Sequence, residues 1–200
     1  MIQENRIGTA LWKDSIPEKY KQYPIIGRGA TSIVLDYSPD SVLILTRDSM
    51  KADWLTHGLH FDYIECLDIS HRRSRILGEL PVYVIKAPKL YPLSPKNKKA
   101  IKHAIIQYND IVYNQPCLHA LHTNQSKQHI ELPDAFQRYL EKVPDGLFSQ
   151  LINFLMNYDT NMYHEDFLMR NFMEDFYGNV ILIDPIVDAE LLAELRRLRQ

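Results

Sequence analysis

The sequence predicts an α+β protein with two lobes, the first rich in β-strands and the second mainly helical. Strand-like runs separated by glycine and proline turns fill the first part, and helical periodicity follows a proline-marked stretch at residues 87–95. A chain of 200 residues, 46% of them hydrophobic, is long enough to bury a core. The expected division is an N-terminal arm at residues 1–22, a first lobe at 23–93 and a second lobe at 94–200.

The first lobe is predicted to contain five strands and one short helix. The strands are expected at residues 24–26, 33–35, 42–45, 63–69 and 82–85, and the helix at residues 49–59. The second lobe is predicted to contain helices at residues 97–113, 133–142, 146–158 and 188–198, with a late strand at 180–183. Asp188 is the expected N-cap of the last helix, and arginines suit its C-terminal end.

Composition and charge exclude several classes of partner. The net charge of −2 gives no strong field for nucleic acid or anionic lipid, so neither is an expected partner. Basic runs at residues 71–75 and 96–102 are typical of a solvated loop and a solvated helix face. The chain has two cysteines, no apolar leader and no run of about 20 apolar residues, which together predict a cytoplasmic protein without a membrane segment.

Three motifs indicate chemistry. The first is a glycine turn between two strands, with Gly27, Gly29 and Ser32, where backbone amides can approach phosphate oxygens. Alone it is weak, because many hairpins carry two glycines. The second is the segment from His164 to Asn171, which reads HEDFLMRN. The third is the buried strand at residues 180–183, followed by Asp184 and a proline.

The spacing of the second and third motifs fits phosphoryl transfer. One carboxylate, Asp166, is placed to accept the proton of an attacking hydroxyl. An amide oxygen from Asn171 and a carboxylate from Asp184 are the kinds of ligand that hold Mg²⁺ against nucleotide phosphates. An H-x-D motif followed after four residues by Asn, and then a strand ending in Asp, belongs to the kinase signature set.

On these residues the chain resembles protein kinases, and it is most similar to the small serine/threonine kinases that lytic podophages make early in infection. The resemblance covers about residues 23–47 and 147–187. It implies a bilobal kinase-like fold that binds ATP and Mg²⁺ between its lobes and phosphorylates intracellular, or host, proteins. By the same resemblance Asp166 is the catalytic base, Asn171 and Asp184 are metal ligands, Gly27, Gly29 and Ser32 cover the phosphates, and His164 is a structural support.

The sequence departs from the kinase pattern at the phosphate-binding lysine. Kinases carry it on the third strand, paired with a helix glutamate, whereas this chain has no lysine between residues 42 and 48. Arg47 lies next to the expected position and is a candidate for the role, with a solvated strand-end charge as the alternative interpretation. Lys51 is a poorer candidate, one turn into the following helix. Asp53 and Glu65 compete as the partner carboxylate.

Further departures concern the catalytic loop. Leu168 stands where serine/threonine kinases carry a lysine, and Arg170 is a candidate for supplying that charge. Glu165 replaces the arginine that reads activation-loop phosphorylation. Sixteen residues follow Asp184, too few for an activation loop and the helices after it. Phosphorylation of that loop is therefore not an expected switch.

These departures leave alternatives to an active protein kinase. One alternative is a catalytically impaired pseudokinase that binds and inhibits a cellular protein. Such a protein keeps the kinase-like fold but does not need the missing lysine. Phosphorylation of a small molecule is a third possibility, because antibiotic kinases share the H-x-D arrangement. A zinc site at Cys117, His119, His122 and His129 is not expected, because their spacing matches no common zinc site.

Overall fold

The structure, a computed structural model, describes residues 16–59, 64–74, 78–114, 163–165 and 168–198. The chain divides into two compact units. The first comprises residues 1–89 together with 187–200, and the second comprises residues 90–186. The sequence placed the boundary at residues 93–94 and the C-terminal segment in the second lobe, whereas the structure groups that segment with the first unit.

The first unit contains a five-stranded antiparallel sheet. Its strands are β1 (Ile25–Arg28), β2 (Ser32–Asp36), β3 (Ser41–Thr46), β4 (Glu65–Ser74) and β5 (Gly78–Pro88). Their spatial order is β1-β2-β3-β5-β4, so β5 lies between β3 and the edge strand β4. The helix that follows β3 therefore connects two strands that are not neighbours.

Cross-strand register builds the core of this unit. Ile33 pairs with Leu45, which in turn pairs with Val84, so the three side chains stand in one row across the sheet. Leu35 and Leu43 form the next pair of that face. All five side chains are fully buried and pack in one cluster with Tyr20 and Val82. Burial of each such side chain contributes roughly 1.5–3 kcal/mol, which fixes the register of β2, β3 and β5.

Two helices complete the first unit. Helix α1 (Ser49–Asp53) begins at Asp48, whose carboxylate accepts the backbone N–H of Lys51, and it continues as a π-helical turn at Trp54–Gly58. A Cβ on Gly58 would lie 2.1 Å from Cε3 of Trp54, so only glycine fits there. The C-terminal helix α3 (Ala189–Arg197) also belongs to this unit. It joins the unit through Asp188, whose N–H donates to Asp48.

The second unit contains helix α2 (Pro95–Asn114) and several short strands. The strands are β6 (Tyr91–Pro92), β7 (Tyr163–Glu165), β8 (Phe172–Glu174) and β9 (Val180–Leu182). A three-stranded antiparallel sheet has the order β6-β8-β9. A 3-10 turn at Met169–Asn171 leads directly into β8. Strand β10 (Ile186–Asp188) leads from this unit back to helix α3 of the first unit.

The structure confirms the α+β class and most of the predicted elements. The strands expected at residues 24–26, 33–35, 42–45 and 180–183 are present within one or two residues, and so are the helices expected at 49–59, 97–113 and 188–198. Strands β4 and β5 are longer than predicted. The helices predicted at 133–142 and 146–158 lie outside the described residues. No helix in the described part of the chain is both long and apolar enough to cross a bilayer.

Candidate functional site

The glycine turn connects β1 and β2, and a backbone hydrogen bond closes it. The N–H of Gly29 donates to the carbonyl of Ser32 over 2.7 Å. At Gly27 a Cβ would press to within 3.3 Å of the Val34 Cβ, so packing favours glycine there. At Gly29 a Cβ would meet nothing closer than the Ser32 hydroxyl at 3.5 Å, and its φ is not positive. Neither packing nor backbone conformation requires glycine at that position, and its absent side chain leaves the turn open to a ligand.

Lys51 brings a positive charge to this turn. Its ammonium donates to Oγ of Ser32 over 2.9 Å, and the residue is only 7% exposed. Helix α1 sets this direction, because Asp48 caps the helix at the N–H of Lys51 and orients its first turn. Backbone amides, a hydroxyl and a buried ammonium are the groups that bind phosphate oxygens in proteins. The arrangement is therefore chemically suited to an anionic ligand.

Arg47 is buried among backbone carbonyls. The residue is 3% exposed, and its Nη1 donates to the carbonyls of Arg72 and Leu80 over 3.1 and 3.2 Å. Those two residues face each other across β4 and β5. Burial lowers the pKa of Arg47 to about 10, so the guanidinium remains protonated at neutral pH. Its donors connect strands β4 and β5. The sequence had left the role of Arg47 open between a phosphate ligand and a solvated charge.

In the second unit, backbone bonding draws Asn171 and Asp184 to one end of the β8–β9 hairpin. The N–H of Ile183, the residue before Asp184, donates to the carbonyl of Asn171 over 2.8 Å. Phe172 pairs with Leu182 in the adjacent register position. Asn171 is 4% exposed and Asp184 is half-buried. Amide and carboxylate oxygens are the hard ligands that Mg²⁺ prefers.

The remaining residues of the catalytic-loop motif are described only in part. His164 lies in β7, and Arg170 is exposed in the 3-10 turn before β8. Asp166, the predicted base, and Cys117 with its neighbouring histidines lie outside the described residues. Among the residues that are described, no group of three or more His, Cys, Asp and Glu side chains is arranged to hold a metal ion.

The first unit also contains an open cavity of about 390 Å³, of a size that accepts small ligands. Arg47, Ser49, Leu80, Pro81, Asp188, Glu190, Leu191 and Glu194 line it. The carboxylates of Asp188, Glu190 and Glu194 give its rim a negative charge that repels phosphate. The cavity is therefore a poor candidate for a nucleotide, and the glycine turn is the better one.

The sequence ranked Lys51 below Arg47 as a phosphate ligand, whereas the structure places Lys51 at the glycine turn. A helical stripe did point to it, because Lys51, Trp54, Leu55 and Gly58 recur at the spacing of one helix face. Trp54 and Leu55 are large apolar residues, so the same face is expected to be buried, and Lys51 with it. A buried lysine requires a specific polar partner. A lysine on the same helix face as large apolar residues was therefore the sequence signal from which the role of Lys51 could have been predicted.

Comparison of the chain with protein-family models, curated proteins and solved structures gave no significant match.

Proposed function

We propose that the protein binds ATP and Mg²⁺ and transfers the γ-phosphoryl group to a protein hydroxyl, as a minimal kinase-like phosphotransferase. The observation that carries the proposal is the buried ammonium of Lys51 on the hydroxyl of Ser32, at a glycine turn that has no structural need for Gly29. The HEDFLMRN motif supplies the chemical half of the proposal, through its resemblance to kinases.

The first unit would hold the phosphates. Backbone amides of the turn and the Lys51 ammonium offer donors to phosphate oxygens, and the small size of Gly29 lets them approach the backbone. Lys51 then takes the role for which the sequence offered Arg47 first. Catalysis of phosphoryl transfer depends mainly on positioning and charge, so one well-placed cation is worth about a thousandfold in rate in enzymes that transfer phosphate.

The second unit would hold the metal and accept the proton. Asn171 and Asp184 stand together at the hairpin end, with the amide and carboxylate oxygens that suit Mg²⁺. Bound Mg²⁺ would neutralise charge on the phosphates. Asp166 would accept the proton of the attacking hydroxyl, and Arg170 would supply positive charge near the acceptor, both on the strength of the motif.

The test compares ATP binding and turnover in wild type and two variants. Isothermal titration of wild type with ATP in the presence of Mg²⁺ should show saturable binding, and labelled ATP should be consumed. Asp184→Ala should lose turnover by about a hundredfold or more, because a metal ligand is removed. Glu79→Ala, an exposed carboxylate of strand β5 that belongs to neither candidate site, serves as the matched control and should retain turnover. Wild type that binds no ATP with Mg²⁺ rules the proposal out.

A second candidate is a binding protein that has lost catalysis. The direction of Arg47 favours it, because that guanidinium donates to Arg72 and Leu80 and the third strand offers no lysine. Such a protein would inhibit a cellular partner without phosphorylating it. Asp166→Ala separates the two functions: inhibition of the partner that persists in this variant favours the binding protein, and its loss together with turnover favours the enzyme.

A further inference from the structure

The turn between β8 and β9 presents two large aromatic side chains to solvent. Phe176 and Tyr177 are 82% and 85% exposed, and their ring centroids lie 5.6 Å apart in an edge-to-face arrangement. Aromatic residues this exposed are uncommon on a monomer and are typical of interaction sites, where they serve as anchors. The two rings contribute little to the fold, because neither is buried against it.

Hydrogen bonds to the Asp175 side chain and the backbone conformation of Gly178 order the aromatic turn, residues 175–179. The carboxylate of Asp175 accepts the N–H groups of Tyr177 and Asn179 over 2.8 and 2.9 Å, and the side-chain amide of Asn179 over 2.9 Å. Gly178 adopts a left-handed φ of 86°, which a residue with a side chain rarely does. A surface ordered in advance loses less entropy when a partner binds.

The exposed face of helix α2 carries positive charge beside this turn. Lys96, Lys98, Lys99 and Lys102 are all exposed, and residues 95–106 contain no Asp or Glu. At 1.5 Å per residue the four lysines span about 9 Å of the helix. The sequence predicts that this run is a solvated helix face, and the structure confirms it. The structure also shows that the aromatic turn contacts the same helix.

Asn97 fastens the helix to the aromatic turn. Its side-chain amide donates to the Gly178 carbonyl over 2.9 Å and to the Glu174 carboxylate over 2.8 Å. The backbone N–H of Ser94 donates to the same carboxylate over 3.0 Å. The exposed surface of the second unit therefore includes the aromatic turn and, starting within one helical turn of the Asn97 contact, the lysines of α2.

Charge is distributed unevenly over this surface. The backbone N–H of Ser94 and the amide of Asn97 keep the pKa of Glu174 below its usual range. Partial burial raises the pKa of Asp175, but hydrogen bonds from Asn179 and Tyr177 outweigh it and leave that pKa lowered. Both carboxylates are therefore ionised at neutral pH. The aromatic end of the surface is flanked by negative charge, whereas the α2 end is positive.

We infer that this surface, formed by Phe176, Tyr177 and the four lysines of α2, docks a protein segment that is apolar at one end and acidic at the other. The apolar side chains of the segment would cover the two rings, and its carboxylates would face Lys96, Lys98, Lys99 and Lys102. The segment belongs to a partner or substrate protein, and docking does not depend on whether the chain transfers phosphate.

The charge distribution favours a protein segment over single-stranded nucleic acid. Nucleic acid could stack bases on exposed rings and pair phosphates with lysines. However, each base brings its own phosphate, so stacking on Phe176 and Tyr177 would place phosphates beside Glu174 and Asp175. A polypeptide can separate its apolar anchors from its acidic residues and so avoids that repulsion.

Fluorescence anisotropy with synthetic probes tests the inference. The acidic probes are two labelled peptides, each with two leucines, a glycine and four glutamates, made in both sequence orders. The basic probes are the same two peptides with four lysines in place of the glutamates. The nucleic-acid probe is a twelve-nucleotide oligothymidine. The better acidic peptide should bind about tenfold or more tightly than either basic one, and added salt should weaken it. The variants K98E/K99E and F176S/Y177S should each weaken its binding by about tenfold.

The matched controls are Lys21→Glu and Ile69→Ser, which alter an exposed lysine and an exposed apolar residue of the first unit. They should bind the acidic peptide as wild type does. Circular dichroism checks that every variant is folded, as expected for exposed positions. The inference is overturned if the control variants weaken binding equally or if the protein shows no preference for the acidic peptide. It is also overturned if oligothymidine binds more tightly and its binding depends on the same residues.

Discussion

At the residue scale, three charged side chains within five positions are buried in the first unit, and each has a different hydrogen-bonding role. Arg47 donates to strand carbonyls, Asp48 caps helix α1, and Lys51 donates to Ser32. Burying a charge is costly unless it is paired or hydrogen-bonded. Arg47 Nη1 and one carboxylate oxygen of Asp48 bond to backbone groups, which suits a role in the fold. Lys51 instead meets a hydroxyl at the glycine turn, which suits a role in binding.

This difference predicts a separation between binding and folding at Lys51. Lys51→Met keeps most of the length and volume of the side chain but removes its charge, so ATP binding should weaken by about tenfold to a hundredfold. Adenosine has no phosphates, and its affinity should stay the same. Titration calorimetry with both ligands provides the comparison. An equal loss for ATP and adenosine would show that Lys51 only supports the fold.

Arg47→Lys is the matched control for that experiment. A lysine loses the two-carbonyl geometry of the guanidinium, and the free energy of unfolding should fall by about 1–2 kcal/mol in urea titrations. The ratio of ATP affinity to adenosine affinity should stay at its wild-type value. If wild type binds ATP but Lys51→Met weakens ATP and adenosine equally, only the role assigned to Lys51 is rejected. Wild type that binds neither ligand rejects the nucleotide proposal itself.

Local chemistry determined how far single residues could be predicted. The cap at Asp188 was predicted from its position before a helical stripe, and the structure confirms it, with the N–H of Leu191 donating to that carboxylate. The contacts of Arg47 could not be predicted, because its partners at Arg72 and Leu80 are 25 and 33 residues away. A long side chain reaches whatever the tertiary fold places within range.

At the element scale, the ends of the strands were harder to predict than their existence. The strand at residues 82–85 was predicted from four apolar residues, yet β5 covers Gly78–Pro88 because it pairs with β3 on one side and β4 on the other. Cross-strand hydrogen bonds extend a strand through residues with no strand-like pattern, such as Pro81 and Lys86. The hairpin β8–β9 shows the same effect, since β8 itself was not predicted.

The β8–β9 hairpin should respond to acid through Glu174. Its folded-state pKa is lowered from the ordinary value of 4.5 by the Ser94 and Asn97 donors. The unfolded chain therefore binds the proton more readily, so the carboxylate stabilises the fold above about pH 4.5 and loses that effect as pH falls through the folded-state pKa. The difference in urea midpoint between wild type and Glu174→Gln should accordingly be largest near pH 6 and shrink by pH 3.

The comparison with Glu174→Gln isolates one carboxylate, because every other titrating group is common to both proteins. Glutamine retains an oxygen that can accept from Ser94 and Asn97, so the variant should still fold. A midpoint difference that is constant between pH 6 and pH 3 would contradict the role assigned to the Glu174 charge.

At the scale of the whole molecule, the chain crosses from one unit to the other twice. It leaves the first unit near Lys89 and returns to it at Val187. Composition and periodicity locate the first crossing, where prolines separate a β-rich part from a helical part. They do not locate the second, because the stripe of α3 specifies a buried face and not the surface that covers it. Two hydrogen bonds decide that question: the Ser49 hydroxyl donates to the Asp188 carboxylate, and the N–H of Asp188 donates to the Asp48 carboxylate.

The return of the C-terminal segment makes the first unit dependent on residues almost one hundred positions from its own sheet. A chain ending at Ile186 should therefore lose stability in the first unit. It lacks the buried side chains of Leu191 and Leu195, each worth roughly 1.5–3 kcal/mol, and the contacts of Asp188 with Asp48 and Ser49. Urea unfolding followed by tryptophan fluorescence in a Trp12→Phe background, where the signal comes from the fully buried Trp54, reports the change.

A chain ending at Arg197 is the control for this truncation, because it removes only residues 198–200 and Leu198 is partly exposed. It should unfold at the wild-type urea concentration. The double variant D188N/L195A should reproduce most of the loss in a full-length chain, since it weakens the same two contributions. If the chain ending at Ile186 and the control unfold together, helix α3 adds nothing to the first unit, and the cap at Asp188 serves only its own helix.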